Sequence, residues 1–213
     1  MVRLQGAGIR GIVPTLLFSP MFPRLFSFPA AVVLALLCLS SCATDQRHFV
    51  EVSVPQQRMA VYRDGALVRE YPISTSKFGL GDERGSYKTP LGNFTIERKI
   101  GKEAPPGTVF KSRRRTGEIL PPNAPGRDPI VSRIIWLKGN EPHNANAYKR
   151  LIYIHGTPEE RTIGSPTSFG CVRMRSADII DLFDIVGKGA RVYIGNHPLR
   201  GSAAPGVAPG PVQ

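Results

Sequence analysis

Two periodicities organise the middle of the chain. Residues 48–54, HFVEVSV, alternate apolar and polar side chains, and 58–62, RMAVY, do so again, as half-buried strands do. Between them and a returning strand at 67–73, Asp64-Gly65 supplies the residues of a two-residue hairpin turn. A loop with Gly79, Gly81 and Gly85 covers 74–88, and Thr89-Pro90-Leu91-Gly92 then leads into an alternating strand through Phe94, Ile96 and Arg98. Residues 130–137 form an apolar run with Trp136 near its end, and 151–154 form a short one that delivers His155 at its tip. After Cys171 the period changes. Ile179, Ile180, Leu182, Phe183 and Val186 recur at helical spacing, with Ser176 or its neighbour as N-cap, Asp178 in the first turn and Gly187 at the end. Residues 190–194 give a last strand.

Two stretches lack either period. Residues 101–129 hold Pro105, Pro106, Pro121, Pro122 and Pro125, and a loop of that length in a compact domain is expected to be a lid or a binding loop. Residues 138–150, with His143, are a polar connection. The Pro- and Gly-rich end, 196–213, is expected to be disordered. There is no internal repeat.

The chain has 213 residues, 41% hydrophobic and 21% charged, which suits one globular domain with added segments. The added segment lies at the start. Arg24 precedes an apolar run over 30–39 that is too short for a membrane span and has the layout of a secretory signal. Met21 would give that signal an n-region of ordinary length. The ending Leu39-Ser40-Ser41-Cys42 resembles the lipobox of bacterial lipoproteins, which implies a lipidated Cys42 as the mature N-terminus. Ala43 after it resembles the outer-membrane sorting pattern. The expected division is therefore 1–41 signal peptide, 42–47 lipidated tether, 48–195 folded domain and 196–213 tail, with the mature protein held to the periplasmic side of the outer membrane. A plain cleaved signal and a retained anchor are the alternatives.

The formal charge is +12, and losing residues 1–41 takes away Arg3, Arg10 and Arg24 with no acid, leaving +9. Such a balance often points to nucleic acid, but export argues against that partner and favours anionic polymers of the cell envelope. The basic cluster Lys111-Ser112-Arg113-Arg114-Arg115 has no interleaved aromatics and reads as a solvated loop.

Of three cysteines, Cys38 leaves with the signal and Cys42 is blocked if lipidated, so Cys171 remains as the free thiol. His155 precedes it by fifteen intervening residues. Free Cys titrates at about 8.5 and only its thiolate is a good nucleophile, so a neighbouring imidazole is the base it needs. Gly170 permits a tight turn before the Cys, so that the amides of Gly170 and Cys171, with Phe169, could meet an oxyanion. Paired short ligand spacings are missing, which argues against zinc. Trp136 and Tyr153 read as packed side chains, His143 and His197 as exposed.

His155 followed by Ser168-Phe169-Gly170-Cys171-Val172-Arg173 resembles the active-site pattern of the L,D-transpeptidase catalytic domain, the YkuD-like family, in which the position of Phe169 is usually a second His. The Thr89-Pro90-x-Gly92-x-Phe94 segment, Arg173-Met174 with Asp178, and the closing Gly189-Ala190-Arg191-Val192 strand fit the same family. The resemblance covers roughly 48–195. It implies a mainly β, sandwich-like domain with mixed sheets and a short helix after the Cys. It also implies acyl transfer without cofactor or metal: Cys171 attacks a peptidoglycan stem peptide, His155 moves the proton, and the acceptor amine belongs to a second stem or to a protein. Because Gly156 has no side chain, a backbone carbonyl is expected to orient the imidazole. Arg173, Ser168 and Gly156 are the candidate substrate contacts, with an Arg173–Asp178 ion pair as the structural alternative for Arg173. An L,D-carboxypeptidase using the same thioester, or a non-catalytic peptidoglycan-binding module, remain open as other readings.

Overall fold

The computed structural model describes residues 44–200. The expected signal, Cys42 and residues 201–213 lie outside the described residues. No helix among the described residues is long and apolar enough to cross a membrane.

The alternating segment at the start forms strand β1, His48–Ser53, antiparallel to β2, Arg58–Arg63, and β2 turns into β3, Ala66–Pro72. Asp64 and Gly65 both take positive φ, 51° and 85°, the conformation that a type I′ hairpin demands. The further strands are β4 Gly92–Ile100, β5 Thr108–Lys111, β6 Arg114–Ile119, β7 Ile130–Gly139, β8 Tyr153–Gly156, β9 Val172–Met174 and β10 Arg191–Gly195. They make one mixed ten-stranded sheet in the order β3-β2-β1-β10-β4-β7-β5-β6, from which β8 and β9 branch at β7. Among the named strands of the described residues, β1–β10 and β8–β9 pair in parallel and the other pairs are antiparallel. The mainly β architecture with mixed pairing agrees with the sequence reading.

Both arms of the sheet and the helix α1, Ser176–Ile185, bury one apolar core. Val50 and Val52 from β1, Ile135 and Leu137 from β7, Val192 and Ile194 from β10, and Ile179 and Leu182 from α1 are almost fully buried in it. Burying a side chain of this kind contributes about 1.5–3 kcal/mol relative to exposure.

The N-cap falls on the neighbour of Ser176, but no local side chain caps it. Arg175 occupies the N-cap position, the Ser176 N–H is taken by the Glu160 carboxylate at 2.8 Å, and the Ser176 hydroxyl receives the Ser132 hydroxyl at 2.9 Å. A distant carboxylate thus does the work assigned to a local hydroxyl, and it also suits the positive end of the helix dipole. At the other end Lys99 donates to the Phe183 and Val186 carbonyls at 2.6 and 2.5 Å.

The Pro-rich stretch 101–129 contains the β5–β6 hairpin, so it is not the structureless loop its composition suggests. The chain end also holds more order than expected as far as residue 200. Leu199 is buried, its N–H bonds to Gln56, and the His197 carbonyl receives the Ser53 hydroxyl. Burial of Leu199 together with hydrogen bonds to Ser53, Gln56 and Glu51 holds this stretch, whatever its composition.

Candidate active site

The site is set by the parallel pairing of β8 and β9, which puts Ile154 beside Val172, His155 beside Arg173 and Gly156 beside Met174. Side chains alternate between faces along a strand. Ile154, Val172 and Met174 therefore enter the main core, while Tyr153, His155 and Arg173 turn to the opposite face. Cys171, immediately before β9, joins that face and packs on the cluster containing Trp136 and Tyr153. His155 and Cys171 thus share a face, two residues apart in register on adjacent strands.

The imidazole is oriented by its own backbone. Nδ1 of His155 lies 2.8 Å from the Gly156 carbonyl oxygen. A carbonyl only accepts, so Nδ1 carries the hydrogen and Nε2 keeps its lone pair. Gly156 is glycine for a reason of space. A Cβ there would stand 2.6 Å from the Val131 carbonyl oxygen and 3.3 Å from Ser132, at the irregularity where β7 shifts register against β8. His155 is 6% exposed. Burial depresses its pKa, the Gly156 carbonyl and Asp128 pull the other way, and Arg173 adds to the depression.

The Cys171 sulfur accepts the Tyr153 N–H at 3.4 Å and lies 3.4 Å from the Leu151 carbonyl. Burial pushes its thiol up to about 11, against the opposing pull of that amide and of the Arg150 and Arg173 guanidiniums. Sulfur and imidazole are therefore both neutral at pH 7, a thiol and a free base on one face of the sheet and not a preformed ion pair.

The turn before the cysteine is stapled from inside. Ser168 Oγ donates to the Cys171 carbonyl at 2.6 Å and accepts the Gly170 N–H at 3.2 Å. Thr89 donates to the Gly170 carbonyl at 3.0 Å. Gly170 has φ +117°, and a Cβ there would stand 3.2 Å from the Lys88 carbonyl. Because Ser168 takes the Gly170 N–H, that amide is not available to an oxyanion. The amides of Phe169 and Cys171 have no acceptor among the described residues.

Three residues expected to touch substrate are placed differently. Ser168 is 1% exposed and serves the turn. Gly156 lies inside the sheet and offers only the carbonyl already bonded to His155. Arg173 is 3% exposed and ion-paired with Asp128, with Thr162 and Thr167 as further acceptors. The pair with Asp178 is not formed, because alternation along β9 sends Arg173 away from the core side, where α1 packs.

Cys171 opens onto a cavity of about 210 Å³ lined by Gly85, Tyr87, Arg150, Ile152 and Phe169. Phe169 is 58% exposed and forms a rim with Phe78 and Tyr87, their ring centroids 5.6 to 6.0 Å apart. The Lys77 ammonium lies 4.5 Å from the Phe169 ring centroid. Arg150 forms a buried ion pair with Asp82 at 2.9 Å and donates to the Gly81 and Lys88 carbonyls, which fastens the 79–88 loop beside the sulfur. Neither Arg150 nor Asp82 was singled out by sequence, since nothing local relates residues 68 apart. A larger cleft of about 560 Å³, at Arg47, Phe49, Tyr62, Arg191 and Arg200, contains neither His155 nor Cys171.

Residues 47–194 match the family model described as the L,D-transpeptidase catalytic domain. The probable L,D-transpeptidase ErfK/SrfK of Escherichia coli K12 is 33% identical over 166 residues, 75% of this chain and 47% of that protein. The probable L,D-transpeptidase YbiS of the same strain is 43% identical over 162 residues, 73% of this chain and 47% of that protein. The chain thus spans about half the length of these curated relatives. Among solved structures, an L,D-transpeptidase from Mycobacterium smegmatis aligns with TM-score 0.46 and 20% identity over 70% of this chain and 58% of that one.

Proposed function

The chain belongs to the L,D-transpeptidase catalytic domain family, and on that premise we propose that it transfers an acyl group from a peptidoglycan tetrapeptide stem, through a thioester on Cys171, to an acceptor amine. The observation that carries this reading is the β8–β9 pairing, which sets an imidazole fixed as the Nδ1–H tautomer on the same face as the free thiol.

The chemistry follows from those two neutral groups. As Sγ attacks the carbonyl carbon of the third stem residue, the thiol proton passes to Nε2 of His155, which acts as general base. The carbonyl becomes a tetrahedral oxyanion. The Phe169 and Cys171 amides are the donors free to meet it, a role worth about 2.7–4 kcal/mol per donor. The C–N bond then breaks, the terminal D-amino acid leaves as an amine with the proton from Nε2, and a thioester remains. An acceptor amine attacks it, gives its proton to His155, and restores the thiol as the new amide forms. Gly156, Ser168 and Arg173 position these groups and do not touch substrate.

Incubation with a disaccharide tetrapeptide tests the reading. Transpeptidation gives cross-linked dimer and free D-amino acid. Tripeptide alone would mean that water resolves the thioester, a carboxypeptidase, and no product would leave a binding module.

The lipobox-like Leu39-Ser40-Ser41-Cys42 supports an exported lipoprotein held at the outer membrane on its periplasmic side. Metabolic labelling with a radiolabelled fatty acid should mark the protein and fail to mark Cys42→Ser; equal label in both would remove the anchor.

A further inference from the structure

Arg113 was read from sequence as part of a solvated basic loop, yet its side chain is directed elsewhere. It sits with Ser112 at the tip of the β5–β6 hairpin, both with positive φ, 66° and 49°, where Asn and Gly are the usual occupants. Its guanidinium carbon lies 5.1 Å from the Trp136 ring centroid. Trp136 stacks on Tyr148 at 4.2 Å and meets Tyr153 edge-on at 5.5 Å. The Tyr153 hydroxyl is hydrogen-bonded with Arg113 and lies near Cys171, and Cys171 packs against this same aromatic cluster.

No carboxylate pairs with Arg113 among the described residues, whereas Arg127 on the same stretch holds Glu118 and Arg115 donates to the Lys102 carbonyl. A half-buried guanidinium on an aromatic shelf, held by a neutral hydroxyl with no carboxylate partner and sharing its aromatic cluster with the nucleophile, is built to receive an anion of planar shape. In the reaction proposed above, the scissile nitrogen belongs to a terminal D-amino acid whose free carboxylate is one carbon away from it.

We propose that Arg113 binds that carboxylate, and so selects donors in which the leaving residue is also the last. The assignment rests on the transpeptidase reading. It makes Arg113 a substrate-binding residue. A donor extended by one residue carries its carboxylate too far from the scissile bond to reach the same guanidinium.

The test compares wild type, Arg113→Ala and Arg113→Lys on disaccharide tetrapeptide and on the same tetrapeptide with a C-terminal amide, reading kcat/KM by mass analysis of products. The acid-to-amide ratio should fall by roughly ten- to a hundred-fold in Arg113→Ala. Activity on the amide should stay within about three-fold of wild type, with Arg113→Lys between. An unchanged ratio, or an equal loss on both peptides, overturns the assignment while leaving the transpeptidase reading intact. Wild type inert toward both peptides removes that reading, and the role of Arg113 with it.

Discussion

His155 hands its Nδ1 hydrogen to the carbonyl of the very next residue, Gly156, at 2.8 Å, so the base is aimed by main chain alone. A Cβ at Gly156 would press on the Val131 carbonyl at 2.6 Å and on Ile179 at 3.1 Å, and the strand would have to move. Gly156→Ala should therefore lower kcat on the tetrapeptide by ten-fold or more and cost about 1–3 kcal/mol of stability. Turnover assays and urea melts check it; a variant with wild-type kcat would show that the carbonyl does not orient the ring.

The neutral resting pair has a pH signature. Burial holds the Cys171 thiol up at about 11, so in the free enzyme its thiolate amounts to about one part in ten thousand at pH 7. Burial also holds His155 below its ordinary 6.5. Turnover should rise as pH climbs through a value under 6.5, where the imidazole becomes a free base, and stay level past pH 9. Alkylation of the free enzyme by iodoacetamide should be slow at pH 7 and keep accelerating beyond pH 9, where an ordinary thiol has levelled off. A labelling rate already at its plateau by pH 7 would mean a preformed thiolate–imidazolium pair.

Phe169 stands where the family usually has a histidine, but its ring points to the exposed rim with Phe78 and Tyr87. Only its amide faces the proposed oxyanion. Phe169→His should leave kcat within about two-fold, while Phe169→Ala should raise KM several-fold through lost apolar contact. A large gain in kcat for Phe169→His would assign the missing imidazole a chemical role.

Much of this was legible in the chain, and what was not has a physical pattern. Alternation exposed β1 and β2, an apolar run exposed β7, Asp64-Gly65 fixed the β2–β3 hairpin, and the switch to helical spacing after Cys171 marked α1. Local rules failed where partners are far apart in sequence. Glu160, not a local side chain, takes the Ser176 N–H at the start of α1, Asp128 takes Arg173 in place of Asp178, and β5–β6 forms inside a Pro-rich stretch because β7 supplies the edge it pairs with. The site residues were readable as types, His155 and Cys171 above all. Their surroundings were not: the Tyr153 amide on the sulfur and the use of the Gly170 N–H by Ser168 depend on tertiary register.

The Asp82–Arg150 pair is the least predictable from sequence and should be among the most sensitive. Both side chains are buried, 6% and 7% exposed, and breaking such a pair from one side leaves a charge without its partner. Asp82→Ala should cost about 3–5 kcal/mol in urea unfolding and loosen the loop that carries Tyr87, seen as faster amide exchange over 79–88. A loss under about 1 kcal/mol would mean that the carbonyl contacts of Arg150 suffice.

The central claim is that the Cys171 sulfur carries the acyl group after His155 takes its proton. Intact-mass and peptide-mass analysis of enzyme mixed with disaccharide tetrapeptide measures it directly. Wild type should show a thioester adduct of the tripeptide on Cys171, formed at least a hundred-fold more slowly in His155→Ala and not at all in Cys171→Ala. An adduct on another residue, or product from Cys171→Ala at the wild-type rate, would contradict the account.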